Sequence, residues 1–87
     1  MTYLVRLETA AERELDRLPK DILRRVDAKL MGLKRQPRTR GAVKLEGRQG
    51  QGWRVRVGDY RILYTIEDEA RTVSVYRISH RGSAYRF

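Results

Sequence analysis

Cysteine is absent from the 87 residues, which excludes disulfides and thiolate-held metal sites. Histidine occurs once, at His80, and the carboxylates are scattered, so neither a structural metal nor a cofactor is expected. No apolar run approaches the roughly 18 residues of a membrane span, and the N-terminus has no signal-peptide h-region. A cytoplasmic protein with no membrane partner is the expectation. Acidic residues are also missing from one end: none follows Glu69, whereas Arg71, Arg77, Arg81 and Arg86 do.

What is present is positive charge. Twenty basic residues against eleven acidic ones give a formal net charge of +9. Only Lys20, Lys29, Lys34 and Lys44 are lysine, so arginine dominates. Its planar guanidinium fork suits phosphate and tolerates partial burial better than an ammonium group. A small domain of this kind is suited to nucleic acid or to an acidic protein. No basic amphipathic helix with a broad apolar face is visible, which argues against a membrane surface. The first 35 residues hold nine basic and six acidic residues against eleven and five in residues 38–87, so the binding surface is expected on the second half.

The length predicts a single domain spanning residues 1–87. Tyr3 to Leu7 reads as a first strand. Thr9 and Glu12 have the spacing of a capping box opening a helix, with Ala10, Ala11, Leu15 and Leu18 as its apolar stripe. Leu18-Pro19 ends that helix, and Pro19 suits the first turn of a second one. Ile22, Val26, Leu30 and Leu33 line one face of the second helix, which should stop before Pro37. The charges between them, Arg24, Arg25, Asp27 and Lys29, read as a solvated surface. Val43 to Glu46, Trp53 to Val57, Tyr60 to Glu67 and Thr72 to Ser79 read as strands, the last three joined by turns at Gly58-Asp59 and Asp68-Glu69. The expected fold is α+β: an N-terminal strand, an antiparallel helix pair, and a four-stranded antiparallel meander forming one twisted sheet.

Side chains alternate between faces along a strand. Arg54 and Arg56 therefore share one face, Trp53, Val55 and Val57 share the other, and Arg61 follows on the next strand. Like charges on neighbouring strands destabilise a sheet, which favours a binding face over an idle one. Trp53, Tyr60 and Tyr64 read as packing residues. Arg38, Arg40, Lys44, Arg48 and Arg77 are candidates for general attraction to an RNA backbone. Cutting RNA without a metal needs a proton acceptor for the 2′-OH, charge stabilisation at phosphorus, and a proton for the leaving 5′ oxygen. Arginines suit the second task but stay protonated, which disqualifies them as bases. His80 and Tyr85, beside Arg81, are the acid–base candidates. Each also has a plain structural reading, as a strand-end residue and a tail anchor.

The run from Trp53 to Tyr64, with the terminal His80-Arg81 and Tyr85, resembles the RelE/ParE toxin superfamily, and the resemblance extends over nearly the whole chain. It implies the toxin of a type II toxin–antitoxin system. In RelE-like members that toxin is a ribosome-dependent endoribonuclease cleaving mRNA in the A site by 2′-OH attack. The resemblance casts Arg54, Arg56, Arg61, Arg81 and Tyr85 as the catalytic set. Where well-studied members carry lysines on the central strand, this chain has arginines, so the general base stays open between His80, Tyr85 and neither. The implied partners are a separate antitoxin laying acidic segments over the basic face, the ribosome and mRNA. Two alternatives come with the family: a ParE-like inhibitor of DNA gyrase, and a catalytically weak RNA- or antitoxin-binding module.

Overall fold

The computed structural model describes residues 2–45 and 52–80. In chain order it has β1 (Leu4–Leu7), α1 (Thr9–Asp16), α2 (Lys20–Arg35), β2 (Val43–Lys44), β3 (Gly52–Val57), β4 (Tyr60–Glu67) and β5 (Thr72–His80). The strands form one sheet in the order β1-β5-β4-β3-β2. β2 to β5 are the expected antiparallel meander. β1 lies parallel to β5, with Val5 opposite Val73 and Leu7 opposite Val75.

That parallel pairing decides where α1 begins. The Glu8 N–H donates to the Val75 carbonyl at 2.8 Å, so the chain leaves the sheet at Glu8 and not at Thr9. Glu8 is the N-cap, without a side-chain capping bond, and Thr9 is already helical, so the expected Thr9–Glu12 capping box does not form. Pro19 likewise stands one position earlier than expected, as the N-cap of α2, and its carbonyl accepts from the Leu23 N–H. Asp21 falls in the first turn and Lys34 and Arg35 in the last, both favourable to the helix dipole. α1 packs on β5 and β1, while α2 packs on β1 and β3.

The core lies between one sheet face and the helices. Ala11, Val26, Leu30 and Leu33 meet Val55, Val57, Ile62, Tyr64, Val73, Val75 and Ile78, all buried. The Val26, Leu30 and Leu33 stripe is the one the helical spacing predicts. Fully burying one such aliphatic side chain contributes about 1.5–3 kcal/mol.

One irregularity sets the rest of the geometry. Tyr64 pairs with Val75 but Leu63 pairs with Arg77, leaving Tyr76 as an extra residue. Such a bulge reverses the alternation beyond it. Val73 and Val75 point into the core before the bulge, and Ile78 does so after it. Arg77 and Ser79 consequently join the opposite face.

Candidate nucleic-acid interface

The β3–β4 hairpin positions the arginines. Gly58 has φ +58° in a two-residue turn that a side chain would strain. The turn fixes Val57 opposite Tyr60 and Arg56 directly opposite Arg61. Residues facing each other across an antiparallel pair have Cβ atoms about 4.5–5.5 Å apart. Arg61 is in turn opposite Ser79 on β5, so Arg56, Arg61 and Ser79 form one row across three strands. Val43, Arg54, Leu63 and Arg77 form the neighbouring row. Both rows lie on the sheet face turned away from the core.

These arginines are not equally exposed. Arg56 is exposed, Arg54 is half-buried, and Arg61 is only 7 % exposed. A row of cations anchored at one buried guanidinium can stabilise charge at a phosphate, which develops at phosphorus when an oxygen attacks it. Among the described residues, the Ser79 Oγ next to Arg61 is buried without a hydrogen-bond partner.

His80 does not join the row. It pairs with Tyr60, and the two rings meet edge to face with centroids 5.2 Å apart. Tyr60 and Val57 belong to the core side of the sheet, so the bulge sends His80 to the side opposite Arg54, Arg56 and Arg61. Arg48, Arg81 and Tyr85 lie outside the described residues.

Arg54 and Arg56 also border a groove of about 340 Å³ at the free edge of β3, together with Lys29, Arg40, Val43 and Val55. β2 pairs only with Trp53 and Arg54, which leaves the outer edge of β3 open from Val55 onwards. Arg40 is set there by a turn in which the Ala42 N–H donates to the Thr39 carbonyl and Gly41 adopts φ +90°. Lys29, which the sequence places on a solvated helix surface, also lines this groove. The available signal was its place on α2, one turn after Arg25 and at the border of the Val26 and Leu30 stripe.

Three comparisons bear on this architecture. Residues 5–85 match the family model for the ParE toxin of the type II parDE toxin–antitoxin system. The chain belongs to the RelE/ParE toxin superfamily. It is 40% identical over 87 residues to Toxin RelG of Mycobacterium tuberculosis, covering 99% of both chains. It superposes on a chain of the M. tuberculosis RelBE2 toxin–antitoxin complex with a TM-score of 0.84 and 38% identity, over 93% of this chain and 100% of that one. A chain of the archaeal RelE–RelB complex from Pyrococcus horikoshii follows, with a TM-score of 0.82 and 31% identity, over 94% and 98% of the two chains.

Several cations of the toxin are held by its own fold. Arg38 forms a two-pronged pair with Asp68, at 2.9 and 3.1 Å, and lies 5.5 Å from the centre of the Trp53 ring. Tyr3 donates to the same Asp68 carboxylate at 2.7 Å. The hydrogen bonds from Arg38 and then Tyr3 hold the Asp68 carboxyl down at about 2. Arg77 donates from Nε to Glu14 at 2.9 Å. Lys44 pairs with Trp53, so its backbone position belongs to the core side of the sheet. Arg38 and Arg77 thus face carboxylates of their own chain, while Arg40, Arg54 and Arg56 line one groove and Arg61 faces Arg56.

Proposed function

We propose that this toxin is a metal-independent endoribonuclease that cuts mRNA on the ribosome in the manner of RelE-like toxins. The observation that carries the reading is the Arg56–Arg61 pair flanked by Arg54 on one sheet face. In the proposed reaction the ribose 2′ oxygen attacks the adjacent phosphorus as its proton passes to solvent water. The bond to the 5′ oxygen breaks, a 2′,3′-cyclic phosphate remains, and the leaving oxygen takes up a proton. Arg56 and Arg61 stabilise the charged phosphorane, and Arg54 holds the RNA backbone. The roles left for Arg81 and Tyr85 are charge stabilisation at the phosphorane and proton transfer. His80 begins on the other face and is left out of this set.

The toxins of the M. tuberculosis and P. horikoshii structures are in complexes with antitoxins. We place a cognate antitoxin over the arginine face here, because acidic segments would neutralise it.

A second reading has one observation in its favour: the matching family model is that of ParE. ParE-like members act on DNA gyrase and need no nuclease chemistry. Expression of the toxin alone, with mRNA 5′ ends mapped by primer extension during growth arrest, separates the two. Cuts within codons, confined to translated frames and lost in Arg61→Ala, are the expected result. Arrest with intact mRNA and accumulation of gyrase-linked DNA breaks would overturn it in favour of the ParE reading.

A further inference from the structure

The groove at the β3 edge has a composition that the hairpin alone does not explain. Lys29, Arg40, Arg54 and Arg56 surround one open volume of about 340 Å³, with Val43 and Val55 between them. These charges come from three separate parts of the chain: α2, the turn before β2, and β3. Among the described residues, Lys29, Arg40 and Arg56 form no ion pair. Arg25, one helical turn before Lys29, lays its guanidinium against the β3–β4 turn. A Cβ at Gly58 would come within 3.3 Å of its Nη1. α2 therefore turns a line of positive charge toward the open edge of β3, against the few tenths of a kcal/mol that like charges at this spacing cost a helix.

We propose that this groove is a second phosphate subsite, which takes the phosphodiester next to the one held by Arg56 and Arg61. Lys29 and Arg40 are its own contacts, and Arg54 and Arg56 are shared with the cleavage face. The inference rests on the ribonuclease reading above and extends it, since a second anchored phosphate fixes which bond of the strand lies over Arg61. Three features point to a nucleic-acid backbone. The groove continues directly into the arginine face, as a tracking backbone requires. Its volume falls in the range of small-ligand sites. Among the described residues, its lining has no carboxylate or side-chain amide that would read a base or accept from a peptide N–H.

The test is binding of a fluorescein-labelled, single-stranded 2′-O-methyl oligouridylate, which cannot be cut, followed by anisotropy at several salt concentrations. For single strands the slope of log affinity against log salt falls by about 0.7 for each phosphate contact removed. Lys29→Ala/Arg40→Ala should lower the slope by about that amount and weaken binding at low salt about tenfold, at unchanged melting temperature. Lys29→Arg, which keeps the charge, should bind with the wild-type slope. The single variants Lys29→Gln and Arg40→Gln give the same reading in smaller steps should the double variant melt early.

A wild-type slope in all of these variants, with wild-type RNA binding intact, overturns the subsite and leaves the nuclease reading standing. If even the wild type binds RNA without salt dependence, the nuclease reading fails and the subsite falls with it. If the double variant binds RNA normally but no longer binds short polyglutamate, the groove serves an acidic protein chain, and the phosphate assignment is overturned.

Discussion

Replacing Glu14 with alanine should destabilise the toxin far more than a helix-surface substitution normally does. β1 ends at Leu7 opposite Val75, yet β5 continues to His80, so among the described residues the outer edge of β5 from Tyr76 onwards lacks a neighbouring strand. Unpaired edges are costly when buried and sticky when exposed. α1 closes this one with a single side chain. Glu14 Oε1 accepts the Ile78 N–H at 2.7 Å, and Oε2 accepts from Arg77 Nε at 2.9 Å.

The magnitude follows from what each variant leaves behind. Glu14→Ala strands the amide of Ile78, a residue only 2 % exposed, at about 1–3 kcal/mol. It also removes a partly screened ion pair, with side chains 30 % and 26 % exposed, worth at most about 1 kcal/mol. The sum, about 1–4 kcal/mol, is a large share of the roughly 4–13 kcal/mol expected for 87 residues. Glu14→Gln keeps an acceptor for Ile78 and should lose only about 1 kcal/mol. Arg77→Ala leaves the Ile78 bond intact and should also cost about 1 kcal/mol. Urea unfolding followed by the fluorescence of Trp53 measures all three, and the double variant gives the coupling. If Glu14→Gln were as damaging as Glu14→Ala, or if Glu14→Ala lost less than about 0.5 kcal/mol, the edge-capping argument would be refuted.

Other consequences are equally direct. Tyr64→Phe removes the buried hydroxyl that donates to the Pro37 carbonyl at 2.7 Å, and should cost about 1–2 kcal/mol in the same unfolding assay. Burial pushes the Tyr64 phenol up to about 12, so the folded state keeps a proton that the unfolded chain releases near pH 10. Stability should therefore fall as pH rises from about 10 to 12, less steeply in Tyr64→Phe. Asp68 has the opposite sign: its depressed pKa contributes stability above about pH 4 that is lost toward pH 2. Acid titration of Asp68→Asn should show a weaker loss in that window. Gly58→Ala forces a side chain into φ +58° against Arg25 and should lower thermal stability by about 1 kcal/mol or more. Arg56→Thr removes a like charge facing Arg61, and should raise the melting temperature slightly while abolishing toxicity.

The elements of the fold were legible because their patterns are local. Alternation from Trp53 to Val57 and from Tyr60 to Ile66, a Gly-Asp turn between them, and the α2 stripe each follow from a few neighbouring residues. What escaped depends on pairing between distant ones. The parallel contact of β1 with β5 moves the start of α1 from the expected cap to Glu8. The bulge at Tyr76 is invisible to a reading that counts every second residue, and it decides which side His80 occupies. A one-residue slip exchanges the two faces of a strand. Strict alternation from Val75 would have placed Arg77 and Ser79 in the core and His80 among the arginines. The bulge does the reverse and completes the row from Arg56 through Arg61 to Ser79.

The same distinction separates two kinds of charge in this protein. Of the cations that sequence reasoning grouped together, Arg38 faces Asp68 and Arg77 faces Glu14, each across a long stretch of chain. Those pairs tie the turn before β2 to the β4–β5 turn, and α1 to the edge of β5. With their own charge matched, they hold the scaffold on which the other cations converge. The β3–β4 hairpin sets Arg56 against Arg61 beside Arg54, and the groove adds Arg40 and Lys29, a density of positive charge that folding alone would not select. Glu14 acts at the other edge of the same sheet: by holding Arg77 and the Ile78 amide it supports, from the β5 side, the row that also carries Arg54.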